Sequence, residues 1–326
     1  MNIFIPDDYQ NCIATLDCFA KLANHSVIIH HDTLKDIDAL ADRFRDADAI
    51  VLTRERTAIS AQLLERLPRL KLISQTGRIA GHIDLAACTA RGVAVMESQG
   101  FGAATAELTW ALLLASRRHL VDEANRLRAG LWQGHLGRQL QGQRLGLWSY
   151  GRVGQQVAAY GRAFGMQVWV WGREASVAAA RADGFEVAPS RESFFSQSDV
   201  VSLHIRLNAQ TRSIVTSADL DLMKSSALLL NTSRAELLAP GALEAALQVG
   251  RPGHAAVDVY EHEPIDGREH PLVGLPNALC TPHLGYVEQG NFERAFGMAF
   301  DNINAFERGD FTRVVNPEVL ARTGST

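Results

Sequence analysis

Apolar positions along the chain follow two rhythms. Short continuous apolar runs cover residues 1–6, 26–31, 49–53, 70–74 and 93–96, and again 145–148, 168–171, 200–205, 228–231, 255–257 and 278–280. Runs of that length read as strands of sheets covered on both faces. Between several of them apolar residues recur every three or four positions. That spacing predicts helices over 11–22, 36–45, 61–66, 103–118, 240–248 and 289–307. Ser60 supplies an N-cap for the third helix, and Pro240 opens the fifth. Phe194 and Phe195 fall on a further short helix. The alternation predicts an α/β fold with parallel sheets and helices on both faces. The helix over 103–118 is so apolar that burial between domains is expected.

Leu145 to Arg173 is the clearest βαβ unit. A strand ending at Trp148 enters the turn Ser149-Tyr150-Gly151-Arg152-Val153-Gly154. A helix follows, with Val153, Val157, Ala158, Tyr160 and Phe164 on one face, and Gly165 stops it before the strand Val168–Trp171. Such a turn aims backbone N–H groups and a helix N-terminus at a pyrophosphate. It departs from the G-x-G-x-x-G fingerprint, since Ser149 holds the first glycine position while Gly151 and Gly154 keep the others. Gly151 lets the backbone approach phosphate and Gly154 lets helix and strand pack closely. The same residues admit a plain βα turn. They also come near a nucleophile elbow, with Ser149, Asp258 and His283 in hydrolase order, although Leu147 stands where the elbow needs glycine.

The length of 326 residues suggests two domains, and 47% apolar content suffices for two cores. A net charge of −4 without long runs of one sign argues against a nucleic-acid surface. The cysteines Cys12, Cys18, Cys88 and Cys280 form no C-x-x-C pair, which points to a reducing compartment. The N-terminus lacks a signal-peptide pattern, and no apolar run is long enough to span a membrane. A soluble cytoplasmic protein is expected.

Several strands after residue 145 end in His204, Arg234, Asp258 or His283, all on the carboxyl edge where open parallel sheets bind ligands. Arginine and histidine there suit a substrate with a carboxylate and a step needing a proton donor. Glu263 could orient and charge His283. His204 reads better as a residue packed at the sheet edge. In the first half, the turn from Gln75 to Gly81 follows a strand and is rich in backbone N–H groups, though it also reads as a plain connection. Arg54, at another strand end, is a candidate substrate contact or a surface ion-pair partner. His254, His262 and His270, with Asp258 and Glu261, match no compact metal-ligand spacing, so no metal is expected.

These residues together resemble the D-isomer-specific 2-hydroxyacid dehydrogenases over nearly the whole chain. The matching segments are Gln75–Asp84, Ala106-Glu107, the βαβ unit, Val201–Leu207, Asn231–Glu236, Val257–Pro264 and Thr281–Gly285. The resemblance implies two Rossmann-like domains with doubly wound parallel sheets. A flavodoxin-like substrate domain would use both chain ends, 1–100 and 287–326, and an NAD(P)-binding domain would span 101–286. His283 would be the general acid, Glu263 its partner, and Arg234 the group that binds the substrate carboxylate and polarises its carbonyl. The backbone of Gly77, Arg78 and Ile79, with Arg54, would complete the substrate site. Cofactor contacts would fall on Thr105, Ser149, Tyr150, Gly151, Arg152, Val153, Gly154, Gly172, Arg173, His204, Ile205, Arg206, Thr232, Ser233, Asp258 and Gly285.

Three departures from the family pattern bear on function. Ser149 replaces a glycine, and Arg206 stands where many relatives have proline. The second strand of the βαβ unit ends in Gly172-Arg173 rather than an acid, which favours NADP(H), while Glu174 keeps NAD(H) open. The expected activity is reversible, NAD(P)-dependent reduction of a small 2-oxo acid to a D-2-hydroxy acid. A homodimer with the 103–118 helix near its interface is implied, and no C-terminal regulatory module is expected. The rival readings are a dinucleotide-sensing interaction protein of the same fold and the Ser149-Asp258-His283 hydrolase.

Overall fold

The computed structural model describes residues 1–99, 102–265 and 269–323. Gly100 and Phe101, where the sequence places the first domain boundary, lie outside them. In chain order the first elements are β1 (Asn2–Ile5), β2 (Ser26–Ile29), α1 (Ile37–Phe44), β3 (Ala49–Leu52), α2 (Ala61–Leu64), β4 (Leu72–Gln75), α3 (Leu85–Ala90) and β5 (Ala94–Glu97). Then come α4 (Ala103–Arg118), α5 (Leu120–Arg128), β6 (Arg144–Trp148), α6 (Arg152–Ala163), β7 (Gln167–Trp171), α7 (Glu174–Ala182), β8 (Glu186–Val187), α8 (Arg191–Gln197), β9 (Val200–Leu203) and α9 (Ser217–Asp221). They are followed by β10 (Leu228–Asn231), α10 (Ala242–Val249), β11 (His254–Val257), β12 (Ala278–Cys280) and α11 (Gln289–Glu307). The chain divides into two compact units, residues 1–101 with 288–326, and Gly102–Val287. Among the described residues no helix is long and apolar enough to cross a membrane.

The first unit holds a five-stranded parallel sheet in the order β2-β1-β3-β4-β5, the flavodoxin-like winding. Phe4, Ile50, Leu52, Ile73 and Val95 bury one face against α1, α2 and α3. On the other face α11 packs on β4, where the Ser74 hydroxyl donates to the Ala299 carbonyl at 2.9 Å. The helix expected over 11–22 is instead two 3₁₀ segments, Ile13–Thr15 and Asp17–Leu22. Acidic side chains compete for its amides: Asp8 accepts from Cys12 and Ile13, and Glu293 accepts from Asp17 and Cys18.

The second unit holds a seven-stranded parallel sheet, β12-β11-β10-β9-β6-β7-β8. Counted from β6, this is the doubly wound dinucleotide-binding order with one strand added at an edge, and the winding reverses between β6 and β9. Alternate residues of each strand go to opposite faces. Leu145, Leu147, Val168, Val170, Leu228, Leu230 and Ala256 join one core, and Trp148, Trp169, Leu229, Ala255 and Val257 the other. Burial on both faces explains why these strands read as unbroken apolar runs. Helix α4 spans the expected residues, but it packs Ala106, Trp110 and Leu113 into this unit's own core, against α6, β10 and β11. Its apolar character is explained by that sheet face.

Candidate active site

The carboxyl ends of β6 and β9 flank the winding reversal, and the Ser149 turn lies there. Ser149 adopts φ +85°, a left-handed conformation natural to glycine, so the departure from the fingerprint carries local strain. Its N–H is tied to the Trp171 carbonyl at 2.7 Å. A Cβ on Gly154 would come within 2.6 Å of the Ser149 carbonyl oxygen, so this glycine is required for the helix to approach the turn. Gly151 is the N-cap of α6, carries no capping side chain, and has open space where a Cβ would stand. An uncapped twelve-residue helix with room beside its first turn leaves amide donors for an anion and fits a pyrophosphate.

Several residues expected at a cofactor have side chains engaged within the protein. Tyr150 turns into the core, 4% exposed, where its hydroxyl donates to Asp183 Oδ2 at 2.8 Å. Only its backbone borders the turn. Ser233 donates its hydroxyl to the Leu203 carbonyl, and the Thr232 and Thr109 hydroxyls share a buried hydrogen bond. The Thr105 hydroxyl donates to the Gly285 carbonyl at 2.8 Å, which closes α4 onto the loop after β12. Ile205 packs at the edge of the core, Arg206 is exposed, and both Gly172 and Arg173 follow β7, with Arg173 exposed.

His204 Nε2 lies 3.0 Å from the Ser202 hydroxyl, and burial pulls its pKa down to about 4. An unfolded chain takes up this proton near pH 6.5, whereas the folded chain does so only near 4. The native state thus binds fewer protons in that window. Its stability from this residue is complete above pH ~6.5 and is lost as the pH falls toward ~4. Full burial would make the loss about 3 kcal/mol, and the residue's partial exposure reduces it. Melting curves of His204→Gln should therefore lose less stability between pH 7 and pH 4.5 than the parent. Parallel pH profiles would contradict this assignment.

The candidate catalytic residues stand on the loops after β10, β11 and β12. Asn231, buried at the end of β10, accepts the Ser233 N–H at its Oδ1 and donates Nδ2 to the Arg234 carbonyl at 2.9 Å. This Asx turn presents Arg234, half-buried, beyond the strand end. Glu263 Oε2 lies 2.7 Å from His283 Nδ1, with only 15% and 17% of the two side chains exposed. A carboxylate can only accept, so Nδ1 carries the proton in that bond, and Nε2 is the nitrogen left to exchange a proton with a substrate. The His283 ring is also edge-on to Tyr286 at 5.5 Å.

Asp258 is fully buried, and burial raises its pKa above the ordinary carboxylate range. Its Oδ1 accepts the Thr281 hydroxyl at 2.6 Å and the Leu284 N–H at 2.7 Å, while Oδ2 accepts the Gly285 N–H at 2.8 Å. Asp258 thus shapes the loop that carries His283. The hydrolase arrangement is not assembled, because the carboxylate on the imidazole belongs to Glu263. The histidine group does not converge either: His254 opens β11 at the opposite sheet edge, and His270 pairs with Glu261 at 3.3 Å. Among the described residues no three such side chains are grouped to hold a metal.

In the first unit, Gly77 has φ +98° and donates its N–H to the Ser98 hydroxyl at 2.6 Å. The Arg54 guanidinium packs where a Cβ of Gly77 would sit, so the glycine admits the arginine. Arg54 itself has φ +55°, held by Thr76 and Gln75 on its backbone N–H and carbonyl. The Ile79 N–H is engaged by Glu97 Oε2 at 3.0 Å. A carboxylate therefore already occupies the amide expected to hold a substrate carboxylate beside Arg78.

The model of the D-isomer specific 2-hydroxyacid dehydrogenase NAD binding domain matches residues 110–285. A glyoxylate reductase of Aeropyrum pernix is 35% identical over 295 residues, 87% of each chain. A crystal structure of a candidate D-3-phosphoglycerate dehydrogenase oxidoreductase from Ralstonia solanacearum is 50% identical, with a TM-score of 0.96 over 98% of each chain. A D-lactate dehydrogenase from Aquifex aeolicus, solved with NAD and lactic acid, is 25% identical with a TM-score of 0.76, over 96% of this chain and 97% of its own.

Proposed function

The chain belongs to the D-isomer-specific 2-hydroxyacid dehydrogenase family of oxidoreductases, and we propose that it reduces small 2-oxo acids such as glyoxylate or hydroxypyruvate, with NADPH preferred over NADH. The observation that carries the reading is the Glu263–His283 pair at 2.7 Å, on the same sheet edge as Arg234 and the uncapped α6 turn. A reduced nicotinamide, when bound, supplies the hydride. His283 gives the proton on Nε2 to the carbonyl oxygen as that oxygen gains negative charge. Glu263 holds the imidazole by Nδ1 and so leaves Nε2 for the substrate. Arg234 forks onto the substrate carboxylate, orients the carbonyl and stabilises its developing charge. The first unit would serve as the substrate domain, with the Gly77–Ile79 turn and Arg54 as its contribution.

Support for NADPH comes from Arg173, exposed two residues past the end of β7, where an acid would repel a 2′-phosphate. Arg173→Ser should raise KM for NADPH about tenfold and change KM for NADH little. Equal changes for both cofactors would remove Arg173 from specificity. The exposed apolar side chains Leu127, Leu131, Trp132 and Leu136, on and after α5, support self-association as a homodimer. The reading is tested by oxidation of D- and L-glycerate with NADP⁺. Turnover of the D-enantiomer alone is expected, and turnover of L-glycerate alone would overturn it.

A further inference from the structure

Tyr260 bonds to Glu263 and to Thr281, the residue whose carbonyl holds the backbone of His283. Its backbone N–H donates to Glu263 Oε1 at 3.0 Å, and its hydroxyl donates to the Thr281 carbonyl at 3.0 Å. That carbonyl also accepts the backbone N–H of His283 at 3.0 Å, closing the turn that presents the imidazole. The other Glu263 oxygen holds His283 Nδ1. A ring of bonds thus runs from Tyr260 to Glu263, to His283, to Thr281 and back to Tyr260. The phenol is 6% exposed, set in the core and edge-on to His270 at 4.9 Å. Burial pushes its ionisation far above the ordinary tyrosine range, so the hydroxyl remains a donor wherever the enzyme is folded.

Glu263 and His283 sit on separate loops, after β11 and after β12, so nothing in the local chain fixes their distance. His283 also holds φ +52°, a conformation that persists only where the surroundings over-determine it. We propose that Tyr260 is a positioning residue for the acid pair, its amide and hydroxyl locking the two loops in one register so that carboxylate and imidazole are paired before substrate arrives. The inference rests on the reading of His283 as general acid and Glu263 as its partner. It goes beyond that reading by assigning work to a side chain that acts through Glu263 and Thr281.

Tyr260→Phe keeps the ring and the amide and deletes only the hydroxyl. It should lower kcat about tenfold, as loss of supporting hydrogen bonds around a reactive histidine does. KM and cofactor Kd should stay within about twofold, a split between kcat and KM that a general loss of folding would not give. In a Glu263→Gln background the same substitution should cost less than about twofold, since the pair it aligns is already broken. The low-field Nδ1–H proton resonance of His283 should broaden in Tyr260→Phe. A parental kcat with an unchanged resonance would overturn the proposal, and so would equal losses in the two backgrounds. If the parent enzyme turns over no 2-oxo acid, the functional reading fails, while the resonance still decides whether Tyr260 aligns the pair.

Discussion

His283→Ala lowers kcat for 2-oxo acid reduction about a thousandfold while reduced cofactor still binds. The magnitude follows from what a positioned proton donor contributes, roughly a hundred- to ten-thousandfold. Hydride addition to a carbonyl leaves an alkoxide, and without a donor at Nε2 that charge must be quenched by water. The imidazole's other nitrogen is held by Glu263 at 2.7 Å, so no rotation is needed to present Nε2. His283 lies at neither end of the Ser149 turn, and its loss should leave cofactor Kd within about twofold, read by fluorescence titration of NADPH. Steady-state rates with hydroxypyruvate check the first half of the expectation. A variant that keeps parental kcat would remove His283 from the chemistry and favour a protein that senses dinucleotide without turning it over.

Arg234→Lys lowers kcat/KM about a thousandfold, nearly as much as Arg234→Ala. A lysine keeps the charge but loses the planar fork that meets both carboxylate oxygens. Two charge-assisted hydrogen bonds at about 1.5–3 kcal/mol each set the scale, and a thousandfold corresponds to about 4 kcal/mol. The structure gives that fork a fixed base. Arg234 stands three residues past the end of β10, and the buried Asn231 side chain grips its carbonyl, while one guanidinium nitrogen, Nη1, donates to the Ser233 carbonyl at 2.7 Å. Both KM and kcat should suffer, because in the proposed role the arginine would orient the ground-state acid and also stabilise charge on the adjacent carbonyl. A lysine variant within about fivefold of the parent would show that the substrate carboxylate is held elsewhere.

The parts of this architecture legible in the sequence are those set by local pattern. The βαβ unit from Leu145 to Trp171 could be read because sheet burial on both faces writes an apolar run and because Gly154 and Gly165 punctuate it. Helices with little apolar signal escaped. The α5 helix buries no residue, α7 is largely alanine, and α3 is a short turn capped by Asp84. Arg234 and His283 are legible as strand-end residues and Glu263 as a loop carboxylate, with roles given by resemblance, but their distances come from contacts across tens of residues. The same long-range contacts hid what neighbours do. Nothing local shows that Tyr150 enters the core to meet Asp183, that Asp258 is consumed by the loop at 281–285, or that Glu97 occupies the Ile79 amide. Asn231 was the exception that could have been read, since an asparagine two residues before a serine at a strand end is an Asx-turn signature.

The proposed reaction is hydride transfer to a 2-oxo acid with delivery of a proton from His283. The most direct test mixes the enzyme with NADPH, and separately NADH, and hydroxypyruvate, then follows loss of the reduced nicotinamide absorbance and the chirality of the glycerate formed. Consumption of cofactor matched mole for mole by D-glycerate, faster with NADPH, is the expected result. Bound cofactor that is never consumed, with glyoxylate as with hydroxypyruvate, would contradict the account.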